Sequence, residues 1–206
     1  KNKARIRQPK TALFCFFELT IIQILGNFIT IMNEKRKLNF EAFLAAHPVF
    51  HLEELARARH QPDHPEAARN QLKHHLHRGR IKRVARKVFA AVPFDQEIEA
   101  YQPDPLLVAT RLRPDGLFCY HTALELLGAG HSLWNVCTLF CENPPTPLSL
   151  GSQRIQFLAH PTALCRQEFF QLGLRSTERQ GQRLSLTGPE RTLVEGFRQP
   201  RWVGGL

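Results

Sequence analysis

Apolar residues fall into helical and alternating spacings that divide the chain into short elements. In Asn39–Ala46, Phe40, Phe43 and Leu44 stand at i, i+3 and i+4, which is one helical face, and Asn39 is placed to cap it. His47-Pro48 ends that helix. In VFHLEELARAR, Phe50 and Leu55 have the N′ to N4 spacing of a hydrophobic staple, with Glu54 at N3. Leu52, Leu55 and Ala56 then face the core of a second short helix. The turn-like HQPDHPEAA follows. In it Asp63 and Glu66 have capping-box spacing, and Pro65 sits in a first turn where its missing N–H costs nothing. From there Ala68, Leu72 and Leu76 recur every four residues, and Gly79 stands where a helix end needs φ > 0. Ile81, Val84, Val88 and Val92 supply the β-branched positions of a strand pair.

Three short helices followed by a hairpin predict an α+β fold that begins with a winged helix-turn-helix domain over residues 36–93. Glu66–Arg78 is its recognition helix and the hairpin its wing. Val84 and Val88 are expected to face the helices, which turns the neighbouring side chains outward.

A change to acidic, proline-punctuated composition marks residues 94–103 as a linker. Residues 104–206 read as a mixed α/β domain. Helices are expected at Asp104–Arg111, at His121–Leu127 closed by Gly128, and at Thr187–Phe197. The last has Pro189 in its first turn and Thr187 and Glu190 as a capping box. Strands are expected at Leu117–Tyr120, Val136–Phe140, Arg154–Leu158 and Leu184–Leu186, with the proline-rich ENPPTPLSLG as a connection.

Residues 1–31 stand apart. KNKARIRQPK is basic, and Thr11–Met32 is nearly all apolar, long enough for a membrane span or a signal segment. Glu18, Gln23 and Asn27 interrupt it, both flanks are positive, and no small-residue cleavage site follows. The only methionine is Met32, ahead of a polar start, NEKRKLNF. The expectation is that 1–31 is an upstream extension outside the working protein, with a membrane anchor as the alternative.

Charge sharpens the first domain. The chain of 206 residues has a formal net charge of +10, which points to a polyanionic partner. Between Ala67 and Phe94 there is no acid, but there are eight cations: Arg69, Lys73, Arg78, Arg80, Lys82, Arg83, Arg86 and Lys87. With Asn70 and His74 they make the candidate DNA-binding set. Arg69 and Asn70 lie where a recognition helix meets base edges, Arg suiting guanine and Asn adenine. Lys82, Arg83, Arg86 and Lys87 flank the hairpin and suit phosphate. His75 falls near the Leu72/Leu76 stripe and is expected to pack.

Other chemistry is thin. The five cysteines are odd in number and lack a CxxC pair, so buried thiols are expected rather than a disulfide framework or a metal site. His121, Glu125, Glu190, Arg191 and Glu195 are the polar residues available to an enzyme in the second domain. Glu190 reads as a cap, Arg191 and Glu195 as a surface ion pair, and no nucleophile motif adjoins His121. No catalytic residue, metal or cofactor is assigned.

Four stretches together resemble a known family, the AbiEi-type antitoxins: HPVFHLEELA at 47–56, QLKHHLHRGRIKRVARKVFAAVP at 71–93, DPLLVATRLRPDGLFCYHTALELLG at 104–128 and LTGPERTLVEG at 186–196. These antitoxins are the winged-helix regulators of type IV toxin–antitoxin (abortive infection) pairs. The chain departs from the pattern at Lys87, where the wing turn usually has Gly. It also departs at Leu127, where His often precedes Gly, and at Glu195, where Asp is usual. The resemblance implies a cytoplasmic bacterial repressor. Its first domain would bind inverted repeats in its own promoter, as double-stranded operator DNA. Its second domain would neutralise a nucleotidyltransferase-like toxin without a stable complex. Family members continue past the PERT-like stretch, so residues 104–206 are expected to be C-terminally incomplete.

Overall fold

The structure is a computed structural model that describes residues 40–59, 65–132, 134–164 and 171–204. The apolar stretch 1–31, the Asn39 cap and the Asp63 capping position lie outside the described residues. Among the described residues, six α-helices and nine strands in two sheets make a mixed α+β architecture.

The first half runs α1 (Phe40–Ala46), β1 (Val49–His51), α2 (Leu52–Ala58), α3 (Pro65–His77), β2 (Ile81–Ala85) and β3 (Val88–Ala91). The start of α2 is fixed by its own cap. His51 N donates to Glu54 Oε2 at 2.7 Å, and Glu53 N donates to His51 Nδ1 at 3.4 Å. Phe50 and Leu55, the two staple residues, are both fully buried. Gly79 ends α3 at φ +67°, where a β-carbon would be strained. The three strands pair antiparallel in the order β1-β3-β2, with Phe50 opposite Phe89. A bulge at Val84 shifts the β2–β3 register between Arg83 and Ala85.

The second half runs α4 (Pro105–Leu112), β4 (Leu117–Phe118), α5 (Tyr120–Leu126), β5 (Val136–Cys141), β6 (Leu148–Leu150), β7 (Gln153–Ala159), β8 (Leu174–Arg179), β9 (Gln182–Thr187) and α6 (Pro189–Arg198). The six strands form one sheet, ordered β6-β7-β5-β4-β9-β8. The pairs β5–β7 and β4–β9 are parallel, and the rest are antiparallel. Asp104 caps α4, its carboxylate accepting from Leu106 N at 2.9 Å.

Several local expectations change. β6 arises inside the proline-rich connection, and β8 in LRSTER, a stretch with no apolar run. Both are edge strands, so they need neither a buried face nor a full ladder. β4 stops at Phe118, and Tyr120 opens α5 at φ +54°. The turn is held from beside it, with Thr138 Oγ1 donating to Cys119 O at 2.7 Å and Thr138 N to Thr122 Oγ1 at 2.9 Å. The capping box of Thr187 and Glu190 does not form. Gly188 is the N-cap of α6, while the Thr187 hydroxyl meets that of Thr192 at 2.6 Å and Glu190 is exposed. Thr187 still belongs to β9, so its side chain turns inward.

The largest correction concerns the small sheet. Alternation sends Phe50 and Phe89 to the helix side, where Phe43 stands edge-on to Phe50 at 5.2 Å. Val49, Val88 and Ala90 face the other way and join one buried cluster with Leu106, Leu107, Val108 and Ala109 of α4, and with Phe118, Leu139 and Ile155 of the large sheet. Val84, half-buried, packs on the same cluster. Val84 and Val88 therefore face the second half, not the three helices. Polar contacts follow the same seam. Arg111 Nε donates to Val49 O at 3.1 Å, and Arg111 Nη1 lies 2.9 Å from Glu54 Oε1. Lys82 Nζ donates to Ile98 O at 2.9 Å and Tyr101 O at 2.7 Å, which ties the segment between the halves onto β2. The two halves of the described chain are one compact unit.

Candidate nucleic-acid interface

Helix α3 buries one face and exposes the other. Ala68 and Leu72 are buried, and Gln71, His75 and Leu76 are half-buried. Arg69, Asn70, Lys73, His74 and His77 are exposed, and at 3.6 residues per turn they form one stripe. Two contacts aim that stripe. Arg59 at the end of α2 donates to Gln71 Oε1, and the His75 ring stacks on Phe40 of α1 at 3.9 Å.

The hairpin contributes its tip. Arg83, Arg86 and Lys87 are exposed, and Arg78 is exposed in the turn before β2. Lys87 occupies φ +63°, the left-handed conformation that favours Gly. A lysine there stores on the order of 1–2 kcal/mol of backbone strain. The strained turn is pinned by Leu52 N donating to Lys87 O at 2.9 Å and by the exposed pair of Lys87 with Glu53 at 3.3 Å. That lysine also holds the Glu53 carboxyl below its usual range, first through the hydrogen bond and then through the charge.

Four of the ten candidate residues make polar contacts within the chain; one of them, Arg83, stays exposed and donates only to Ala85 O, two residues on, at 3.4 Å. Besides Lys87, Arg80 pairs with Glu41 and lies over the Phe94 ring at 3.2 Å, and Lys82 is spent on the two carbonyls named above. Arg80 and Lys82 are half-buried. The outward set is Arg69, Asn70, Lys73, His74, Arg78, Arg83 and Arg86. His77 lies exposed on the same stripe, where the helical spacing places it beside Lys73.

The polar residues of the second half do not converge. His121 Nδ1 lies 3.4 Å from Glu125 Oε1, and its Nε2 lies 3.0 Å from Ser132 Oγ. Arg191 Nε donates to Glu195 Oε1 at 2.9 Å. The His121–Glu125 and Arg191–Glu195 pairs each lie within one helix, and Ser132 lies in the loop after α5. Arg191 and Glu195 are 8% and 3% exposed, so the expected surface pair is a buried one, and burial raises the Glu195 carboxyl against the pull of Arg191. Cys119, Cys137 and Cys141 are buried free thiols, which desolvation pushes up. Among the described residues no group of three His, Cys, Asp or Glu side chains is placed to hold a metal ion. No helix of the described residues is long and apolar enough to cross a membrane.

A cleft of about 960 Å³ opens along the seam between the halves, lined among others by Phe94, Tyr101 and Trp134. Of its charged lining, Arg80 pairs with Glu41 and Arg179 with Asp104, and Glu125 lies 3.4 Å from His121 Nδ1. It therefore presents no concentrated charge. The outward cations of α3 and the hairpin do.

No protein-family model matches the chain, and no curated protein sequence matches it.

His75 couples the α3 stripe to pH. Its Nδ1 is buried without a hydrogen-bond partner among the described residues. Burial, then the charge of His74, lowers its pKa below the usual 6.5. The unfolded chain therefore binds the proton more readily, so this contribution to stability is present above pH 6.5 and is lost as pH falls through and below it. Urea midpoints followed from neutral pH to about pH 5 should fall more steeply for the parent than for His75→Gln. Parallel slopes would contradict the placement of the ring.

Proposed function

We propose that this chain is a DNA-binding transcriptional repressor that acts as the antitoxin of a type IV toxin–antitoxin pair and represses its own operon. Residues 40–92 act as a winged helix-turn-helix, α3 entering the major groove and the β2–β3 tip lying along the backbone. The observation that carries the DNA reading is the shared outward exposure of Arg69, Asn70, Lys73 and His74 on α3 and of Arg83 and Arg86 on the hairpin, with no acid between Ala67 and Phe94. The element order helix–strand–helix–helix–strand–strand and the small antiparallel sheet support it. The antitoxin role rests on the four stretches that resemble the AbiEi-type family, with a nucleotidyltransferase-like toxin as functional partner and the cytoplasm as its place.

The division of labour on DNA follows from position. Arg69 and Asn70 stand in the N-terminal half of α3, where side chains reach base edges, and each good base contact discriminates by about 1–3 kcal/mol. Arg83 and Arg86 stand on a strand and a turn whose apolar residues are held against α4, so they reach only the backbone, which carries no sequence information. Fluorescence anisotropy on the promoter duplex of its own gene and on a random duplex tests this. Arg69→Ala or Asn70→Ala should weaken promoter binding more than random binding. Arg83→Ala with Arg86→Ala should weaken both alike and flatten the slope of log K against log salt by about one to two units, at about 0.9 per lost contact. An unchanged salt slope, or equal losses from Arg69→Ala on the two duplexes, contradicts the assignment.

The antitoxin role has its own test. If a nucleotidyltransferase-like toxin is encoded beside it, co-expression of this chain should restore growth that the toxin alone arrests. Persistent arrest, with the chain expressed and folded, contradicts that role and leaves the DNA reading standing.

A further inference from the structure

Helix α6 is built inside out. Arg191, Thr192, Glu195 and Gly196 form its buried face, whereas Leu193, Val194 and Phe197 are 61%, 68% and 65% exposed. With 3.6 residues per turn, those three apolar side chains lie on one continuous face with Glu190 and Arg198. The helix cannot roll to bury them. Arg191 Nε donates to Glu195 Oε1, Arg191 Nη1 donates to Leu172 O at 3.1 Å, and Thr192 Oγ1 donates to Thr187 O at 3.1 Å, all on the inner side. Scattered apolar residues are ordinary on a surface, but a contiguous stripe bordered by charges marks a contact.

The charges at its ends select the partner. Glu190 stands in the first turn of α6 and Arg198 in the last, about 12 Å apart along the axis. Their midpoint is Val194. A second copy of α6 laid antiparallel about a two-fold axis at Val194 brings each Glu190 within reach of the other's Arg198 across the contact, with Val194 and Phe197 between them and Leu193 at its edge. An isologous contact of this kind needs a patch that is its own complement, and this stripe is one: acid, apolar centre, base. We propose that the outer face of α6 is an antiparallel homodimer contact. The patch is much smaller than the roughly 20–30 residues a side of a standard interface, so the dimer is a weak one that dissociates on dilution.

Sedimentation velocity of the full chain across micromolar concentrations reads this directly. The parent should move from monomer to dimer as concentration rises, and Phe197→Glu should stay monomeric. Glu190→Arg and Arg198→Glu should each weaken the dimer by about tenfold or more, since each sets like charges face to face. The double variant Glu190→Arg with Arg198→Glu should return it to near the parent's affinity. All of these residues are exposed, and unchanged far-UV circular dichroism identifies variants that keep the fold. A monomer at every concentration, a dimer that survives Phe197→Glu, or a charge reversal that fails to rescue overturns the proposal.

Discussion

Leu107, Val108 and Ala109 are fully buried because α4 lies between two sheets. It touches β1 and β3 of the small sheet and β5 and β7 of the large one. A helix covered on both sides must be apolar almost all round, and PLLVATRL is. Its two charged or capping positions are used at the edges, Asp104 at its own N-terminus and Arg111 on Val49 O and Glu54. Glu54 thereby serves two elements at once. One carboxylate oxygen accepts from the N-cap of α2 and the other meets Arg111.

This packing decides which basic residues can meet a partner. With Val49, Val88 and Ala90 pressed on α4, the small sheet has no free face. Lys82 and Arg80, at the start of β2 and just before it, fall on the seam and are spent on the Ile98 and Tyr101 carbonyls and on Glu41. What remains outward is the far side of α3 and the tip of the hairpin. The strain at Lys87 sits at that tip and is held by the backbone of α2, so the tip is positioned relative to α3 rather than left loose.

Much of the first half was legible because each signal was local. The staple of Phe50 and Leu55, the Glu54 cap, the four-residue spacing of Ala68 and Leu72, and Gly79 each act within a few residues of sequence. What was misread depended on distant partners. Val88 alternates correctly, but nothing in its own strand says which side α4 will cover. Arg80 and Lys82 read as free cations because Phe94, Ile98 and Tyr101 lie beyond the hairpin. In the second half the central strands announced themselves by apolar runs, and the edge strands β6 and β8, which need none, did not. The four-residue spacing of Arg191 and Glu195 was plain, but the usual rule that such pairs are exposed failed, since here the apolar residues of α6 point outward. The assignment of Arg69, Asn70, Lys73 and His74 to one face came from periodicity alone.

The central claim is that the basic half and the mixed half share one core through α4, so that they unfold together. Native-state hydrogen exchange on the parent and on Leu107→Ala tests it most directly. If the core is shared, amides in the middle of β3 and of β5 open with the same free energy in the parent. Leu107→Ala then lowers both by the same amount, about 2–5 kcal/mol. A loss confined to β5, with β3 unchanged, would show two independent domains and contradict the account.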